Sequence, residues 1–217
     1  MTKYLLYHMR ITFLRTLLPI LLVSAATWCH GQVQVTGPDC VVAGTVYQYI
    51  VTGPWDSTST MHVCITGGTL AGRSDSCTGD QSPVPFLQIV WNNVTAGTIS
   101  MQSTAGAAQL QVTVTKPLSG GSIVDSSKSD TIAYNSLPPL IGCSPATGGA
   151  CEPAYSYQWQ LSIDNVQWQE VEGATGPSLL LGQALQKTSY YRRKVTDTAS
   201  GTIAYSNAAR IIVSQPN

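Results

Sequence analysis

The chain has 217 residues, with 19 glycines, 12 prolines and only 10% charged side chains, against ~25% in an ordinary soluble domain. So little Glu, Lys and Arg excludes a coiled coil or long-helix protein. Eleven basic residues balanced by eleven acidic ones leave no polycationic footprint for nucleic acid.

Residues 1–31 read as a secretory signal peptide. Lys3, Arg10 and Arg15 make a basic start, and an uncharged run from Thr16 to Trp28 carries Leu17, Leu18, Ile20, Leu21, Leu22 and Val23. That run is shorter than the ~20 apolar residues of a membrane span and suits a signal-peptide core. Ser24, Ala25 and Ala26 follow, and cleavage is expected after Gly31, with Ala26 the alternative. Cys29 does not fit a lipobox, because Trp28 rather than a small residue precedes it. The mature chain then spans no membrane, keeps eight basic and eleven acidic groups, and retains His62 as its single histidine.

Residues 32–116 read as a first β module. Tyr47, Tyr49 and Val51 alternate with Val46, Gln48 and Ile50, a strand whose buried face the pattern leaves open. Trp55 follows the Gly53-Pro54 turn. Met61 to Thr66 alternates into Gly67-Gly68, a hairpin or bulge signal. Leu87, Ile89 and Trp91 share a face, which makes Trp91 a core residue, and Ile99 and Met101 repeat the period after a Gly97 turn. Ala108, Leu110, Val112 and Val114 then alternate with Gln109, Gln111, Thr113 and Thr115, the mark of a strand with one face buried and one wet.

A boundary falls in Lys116-Pro117-Leu118-Ser119-Gly120-Gly121, where Pro removes a ladder donor and the Gly pair loosens the backbone. Residues 117–217 read as a second module. Tyr155, Tyr157, Trp159 and Leu161 share one face, so Tyr157 and Trp159 are expected in the core. Asp164-Asn165 makes a turn, and Val166 and Trp168 begin the return strand. Thr188 to Thr196, with Tyr191 in the core, and Ala204 to Val213 form a second pairable couple. No stretch is both long and helical in period; short strands with turn punctuation argue for sandwiches over βαβ units.

Five cysteines survive the cleavage, and an exported chain can oxidise them. Cys143 and Cys151 bracket a turn-rich segment, and Cys64 and Cys77 a Gly- and Ser-rich excursion, so these four are expected to form two local disulfides. Cys40 is left over, with pairing to Cys64 or Cys77 as an alternative.

Little points to catalysis. His62 could serve as the base of a hydrolytic triad, but it lies in an alternating strand and is expected to face solvent. Glu170 and Glu172 read as a solvated strand face. No catalytic, cofactor or metal residue is assigned, and no CxxC pair suggests zinc. Trp55 and Trp168 are the candidates for stacking on a sugar, against packing between sheets or over the module junction. Among Arg192, Arg193 and Lys194, one Arg is expected to lie over an aromatic ring and the others to face water.

The string Tyr155 to Trp168, then Gly173-Ala174-Thr175, Thr188 to Arg193, and Ser206-Asn207, resembles a bacterial Ig-like repeat. Such repeats occur in large exported surface proteins, including adhesins and the leading regions of YD-repeat toxins. The first module, through Gly67-Gly68 and Gln88-Ile89-Val90-Trp91, is similar to the PKD-like or Ig-like domains that precede them. The resemblance implies two tandem immunoglobulin-like β-sandwiches, secreted or held at the cell surface. It also implies a non-enzymatic role in adhesion, spacing or display, towards a protein or glycan partner or as a piece of a larger surface protein. The alternative is a secreted carbohydrate- or other ligand-binding sandwich. In the second module, Tyr190 or Tyr191 is expected at the tyrosine corner of such a fold, with no inter-sheet disulfide beside Trp159.

Overall fold

The computed structural model describes residues 31–124 and 128–216. The expected signal peptide therefore lies, but for Gly31, outside the described residues. Alternation of apolar and polar side chains produces 14 strands among the described residues, β1 to β14 in chain order.

The first eight strands form two four-stranded sheets. One runs β1 (Gln34–Thr36), β3 (Val46–Thr52), β6 (Phe86–Trp91), β5 (Gly68–Leu70); the other runs β2 (Cys40–Val42), β8 (Gly106–Thr115), β7 (Ala96–Ser103), β4 (Met61–Thr66). All neighbours are antiparallel except β2 and β8. The period-two strands turn Tyr49, Val51, Val63, Ile89, Trp91, Ile99, Met101 and Val112 into one core between the sheets. Tyr49 and Val51 settle the ambiguous strand: its other face leaves Val46 and Ile50 half-exposed.

Trp91 organises that core. Its indole meets the Tyr49 ring edge-on, with centroids 6.1 Å apart, and Nε1 donates to the Tyr49 hydroxyl at 3.0 Å. A buried polar tip therefore keeps a partner. Burial pushes the Tyr49 phenol above its usual range. Gly97 is not the expected turn but an interior residue of β7. A Cβ there would collide with the Trp91 ring and sit 2.7 Å from the Thr66 carbonyl, so glycine is what lets the indole lie flat on the sheet. Gly67, with φ near +80°, is where the chain leaves β4 in one sheet for β5 in the other.

The second sandwich has one regular sheet, ordered β11 (Gln169–Glu170), β10 (Tyr155–Ser162), β12 (Ser189–Asp197), β14 (Ala209–Ser214), β9 (Ser129–Ala133), with β13 (Ile203–Tyr205) also paired to β12. β9 and β14 are parallel. The opposite layer consists of irregular segments joined by single bridges: Ser119 to Thr147, Ile123 to Cys143, Ser136 to Leu185, and Ile141 to Leu179. Pro138, Pro139 and Pro145 lack the donors that a continuous ladder needs. Ile123, Ile141, Trp159, Leu179, Tyr191, Ala209 and Ile211 form the core. Trp159 is fully buried and donates its Nε1–H to the Gly176 carbonyl at 2.9 Å. Two tandem Ig-like sandwiches are thus built from separate cores.

Candidate functional site

The two sandwiches meet at a clamp made by residues 147–151. Cys151 is disulfide-bonded to Cys40 of β2, across 111 positions in sequence. Beside it, Thr115 Oγ1 at the end of β8 donates to the Gly149 carbonyl at 2.7 Å, and Gly149 N donates to Lys116 O at 2.9 Å. Glycine is required here: Gly148 and Gly149 have φ of +74° and +98°, and a Cβ on Gly149 would lie 2.7 Å from Asp197 Oδ2.

Asp197, the last residue of β12, holds this loop from the second sandwich. Its Oδ2 accepts from Ala150 N at 2.7 Å and Ser200 Oγ at 2.8 Å, while Oδ1 accepts from Ala154 N at 3.2 Å and Ala199 N at 3.1 Å. The Ala150 amide leads these donors in lowering the carboxyl to about 2, against the opposing effect of desolvation. Tyr155 Oη adds a bond to Gly148 O at 2.6 Å.

Arg193 performs the same task deeper inside. It points inward from β12 and is 0% exposed. Its Nη1 donates to Pro177 O at 2.6 Å, and Nη2 to Gly120 O at 2.9 Å and Ser144 O at 2.6 Å, while the guanidinium lies 4.4 Å from the Tyr157 ring. One side chain thus ties together three irregular segments that have no ladder of their own. The Gly120-Gly121 pair is not a loosened hinge: Gly120 is buried, and a Cβ on it would strike the Tyr205–Ser206 backbone.

The expected site residues divide as follows. Cys64 pairs with Cys77. Cys143 does not pair with Cys151; it is a free, half-buried thiol whose backbone bridges Ile123. The reason is that Gly148, Gly149 and the Asp197 bonds turn the loop towards the first sandwich, carrying Cys151 to Cys40. Burial raises the Cys143 thiol above its usual range, against the pull of Arg193 and Ser206. Trp91, Trp159 and Tyr191 are fully buried, but Tyr157 is only half-buried, with Arg193 stacked on it.

Trp55 and Trp168 lie in different sandwiches, and both are half-buried. Trp55 packs against the first core. Trp168 is half-buried under Arg192, whose guanidinium is 4.2 Å from that ring and 4.1 Å from the Tyr205 ring, with Nε bonded to Gln160 Oε1 at 2.8 Å. Both arginines therefore stack on rings, where only one was expected to, and Arg193 does so inside the core. Lys194 pairs with Glu170 at 3.2 Å. His62 is half-exposed, with Nε2 3.2 Å from Cys64 Sγ and Nδ1 3.9 Å from Asp80. Asp56 caps its own loop, accepting from Thr58 and Ser59, which lowers its carboxyl.

Residues 119–215 match a family described as a domain of unknown function (DUF8696). No curated protein matches the sequence. Similar solved structures include the tandem Ig repeats of Dlar, at 12% identity and a TM-score of 0.30 over 85% of this chain and 96% of that one. The insect immune protein hemolin matches at 13% identity and 0.40, over 84% and 46%. A marsupial T cell receptor matches at 9% and 0.44, over 85% and 74%. The chain spans less than half the length of the hemolin and Sidekick-1 chains that it matches.

Proposed function

We propose that this chain is an exported, non-enzymatic pair of Ig-like sandwiches that acts in adhesion, spacing or display at a cell surface, towards a protein or glycan partner. The observation that carries the reading is the clamp. Neighbouring domains in one chain move relative to each other unless their interface is large and apolar. Here a disulfide, Cys40–Cys151, and a loop bonded on both sides fix that relation instead. Such a joint suits a module that must hold its outer surface at a set distance and orientation.

Two further features support it. Two disulfides belong to an oxidising compartment. The outer face of β3 and β6 offers an uncharged strip in which Val46 faces Val90, Gln48 faces Gln88, and Ile50 faces Phe86; exposed apolar patches of this kind mark contact surfaces.

Small-angle scattering of the oxidised chain tests the proposal. One fixed arrangement of the two sandwiches should fit the oxidised profile, and reduction should broaden it into an ensemble. An oxidised chain that already scatters as two freely tumbling bodies overturns the spacer reading. A glycan array that returns one specific micromolar ligand would transfer the assignment to carbohydrate binding.

A further inference from the structure

β8 carries more backbone than its neighbours pair. Along one edge it meets β7, in register from Ala96 opposite Thr113 to Ser103 opposite Gly106. Along the other it meets β2 only at Thr113, Val114 and Thr115. Thr113 N donates to Asp39 O at 2.7 Å and Thr115 O accepts from Ala43 N at 2.9 Å, while Val114 N turns the other way, to Thr95 O at 3.1 Å. Successive residues of a strand direct their backbone groups to opposite edges. Ala107, Gln109 and Gln111 therefore aim their amides and carbonyls at the side that β2 leaves bare. Among the described residues none of these groups has a backbone partner, and all three residues are exposed.

The other sheet edges are short, bridged or charged. β1, β2, β5 and β11 have three residues or fewer, Cys77 and Gln81 bridge the outer side of β4, and β9 carries Asp130 just after Lys128. Such features keep an edge from pairing with another chain. The stretch Gly106 to Val112 has none of them: it holds no charge and no Pro.

That stretch is also complementary to itself when run antiparallel. With Gln109 opposite the same residue of a second copy, Ala107 falls opposite Gln111, and the outward groups of all three meet as hydrogen-bonded pairs. On the inner face Ala108 falls opposite Leu110, joining side chains that are only partly buried against the first core. Gly106 then lies opposite Val112, so the Thr104-Ala105 tip of one copy stops where β2 of the other begins to pair, at Thr113.

We propose that β8 is a docking edge for a second copy of this chain, paired antiparallel through Gly106 to Val112 about a two-fold axis at Gln109, so that two four-stranded sheets become one. Main-chain bonds supply the affinity, and the Ala108–Leu110 contacts fix the register. The pairing concerns the first sandwich alone and does not depend on the clamp or on the partner met in adhesion.

Sedimentation equilibrium of the oxidised chain over a concentration series tests it. The mass should rise from one chain to two and no further, since a two-fold pair uses up the edge. Hydrogen exchange should slow at the Ala107, Gln109 and Gln111 amides as the dimer fills. Gln109→Pro removes the central donor from both copies without touching the ladder to β7, and it should stay monomeric throughout. Gln109→Lys sets like charges directly opposite each other and should weaken pairing by about 5-fold at low salt. It keeps every backbone donor, so it carries the test if the proline variant does not fold. A chain that stays monomeric at roughly 1 mM overturns the proposal and leaves the edge to a strand of another protein. A dimer that forms equally well in the Lys variant, or that leaves the three amides exchanging as in the monomer, overturns it too.

Discussion

Removing the inter-sandwich disulfide is the sharpest perturbation available. Both cysteines must go, as Cys40→Ser/Cys151→Ser, because Cys40→Ser alone would leave Cys151 free to seek Cys143. The bond closes a loop of 111 positions. In the loop-entropy model such a loop takes about 16 cal/mol/K from the unfolded chain, or about 4.8 kcal/mol at 25 °C. That is an upper figure, since residual structure in the unfolded chain reduces it. For a protein of this size it corresponds to a fall in Tm of roughly 10–20 °C. The effect should also be qualitative. With the clamp closed, unfolding of one sandwich strains the loop that anchors the other, so calorimetry should show one coupled transition. In the double variant two transitions should separate, one for each core. A variant that keeps a single transition and loses less than ~1 kcal/mol would refute the view that this bond couples the sandwiches.

Three further outcomes follow from the same geometry. Gly97→Ala should destabilise the first sandwich by about 1–3 kcal/mol, the usual cost of overpacking, because its Cβ meets both the Trp91 ring and the Thr66 carbonyl; chemical denaturation measures it, and a neutral result would show that the indole can move. Arg193→Met should cost the second sandwich about 3 kcal/mol or more, since the Gly120, Ser144 and Pro177 carbonyls lose their donor at roughly 1–3 kcal/mol for each buried acceptor left unpaired; urea unfolding followed by tryptophan fluorescence reports it. The Asp197 carboxyl has a folded-state value of about 2, below the ordinary 3.8, so its contribution is complete above about pH 4 and is lost as pH falls towards 2. Denaturation midpoints at pH 5, 3 and 2 should therefore fall in the wild type and fall less steeply in Asp197→Asn.

The strands were legible because period-two alternation in Leu87–Trp91, Ala108–Val114 and Tyr155–Leu161 reports directly on which face is dry. The second layer of the C-terminal sandwich was not, since Ile123, Ile141 and Leu179 are single buried residues in segments broken by Pro and Gly, and a period needs repetition. β12 misleads for another reason. Its inward side chains include Arg193 and Asp197, polar residues at core positions that only carbonyls and amides from distant loops can satisfy. The cysteines show the limit of local reasoning. A short loop costs the least entropy to close, which favours Cys143 with Cys151, yet the partner is chosen by where the fold brings the sulfurs. Likewise, His62 and Cys64 share a strand face in the sequence, but Cys77 and Asp80 reach them only through the bend that follows β5.

The two disulfides are nested, with 64–77 enclosed by 40–151. A chain that emerges N-terminus first presents Cys40, Cys64 and Cys77 to the oxidising machinery long before Cys151 arrives. Oxidation in order of arrival would couple Cys40 with one of its early neighbours and leave the junction open. Correct maturation therefore depends either on rapid closure of 64–77, which removes both competitors, or on a catalyst that reshuffles the first bonds made. Hosts that oxidise without isomerising should accumulate a soluble but unclamped form, separable from the native one by its mobility on a non-reducing gel.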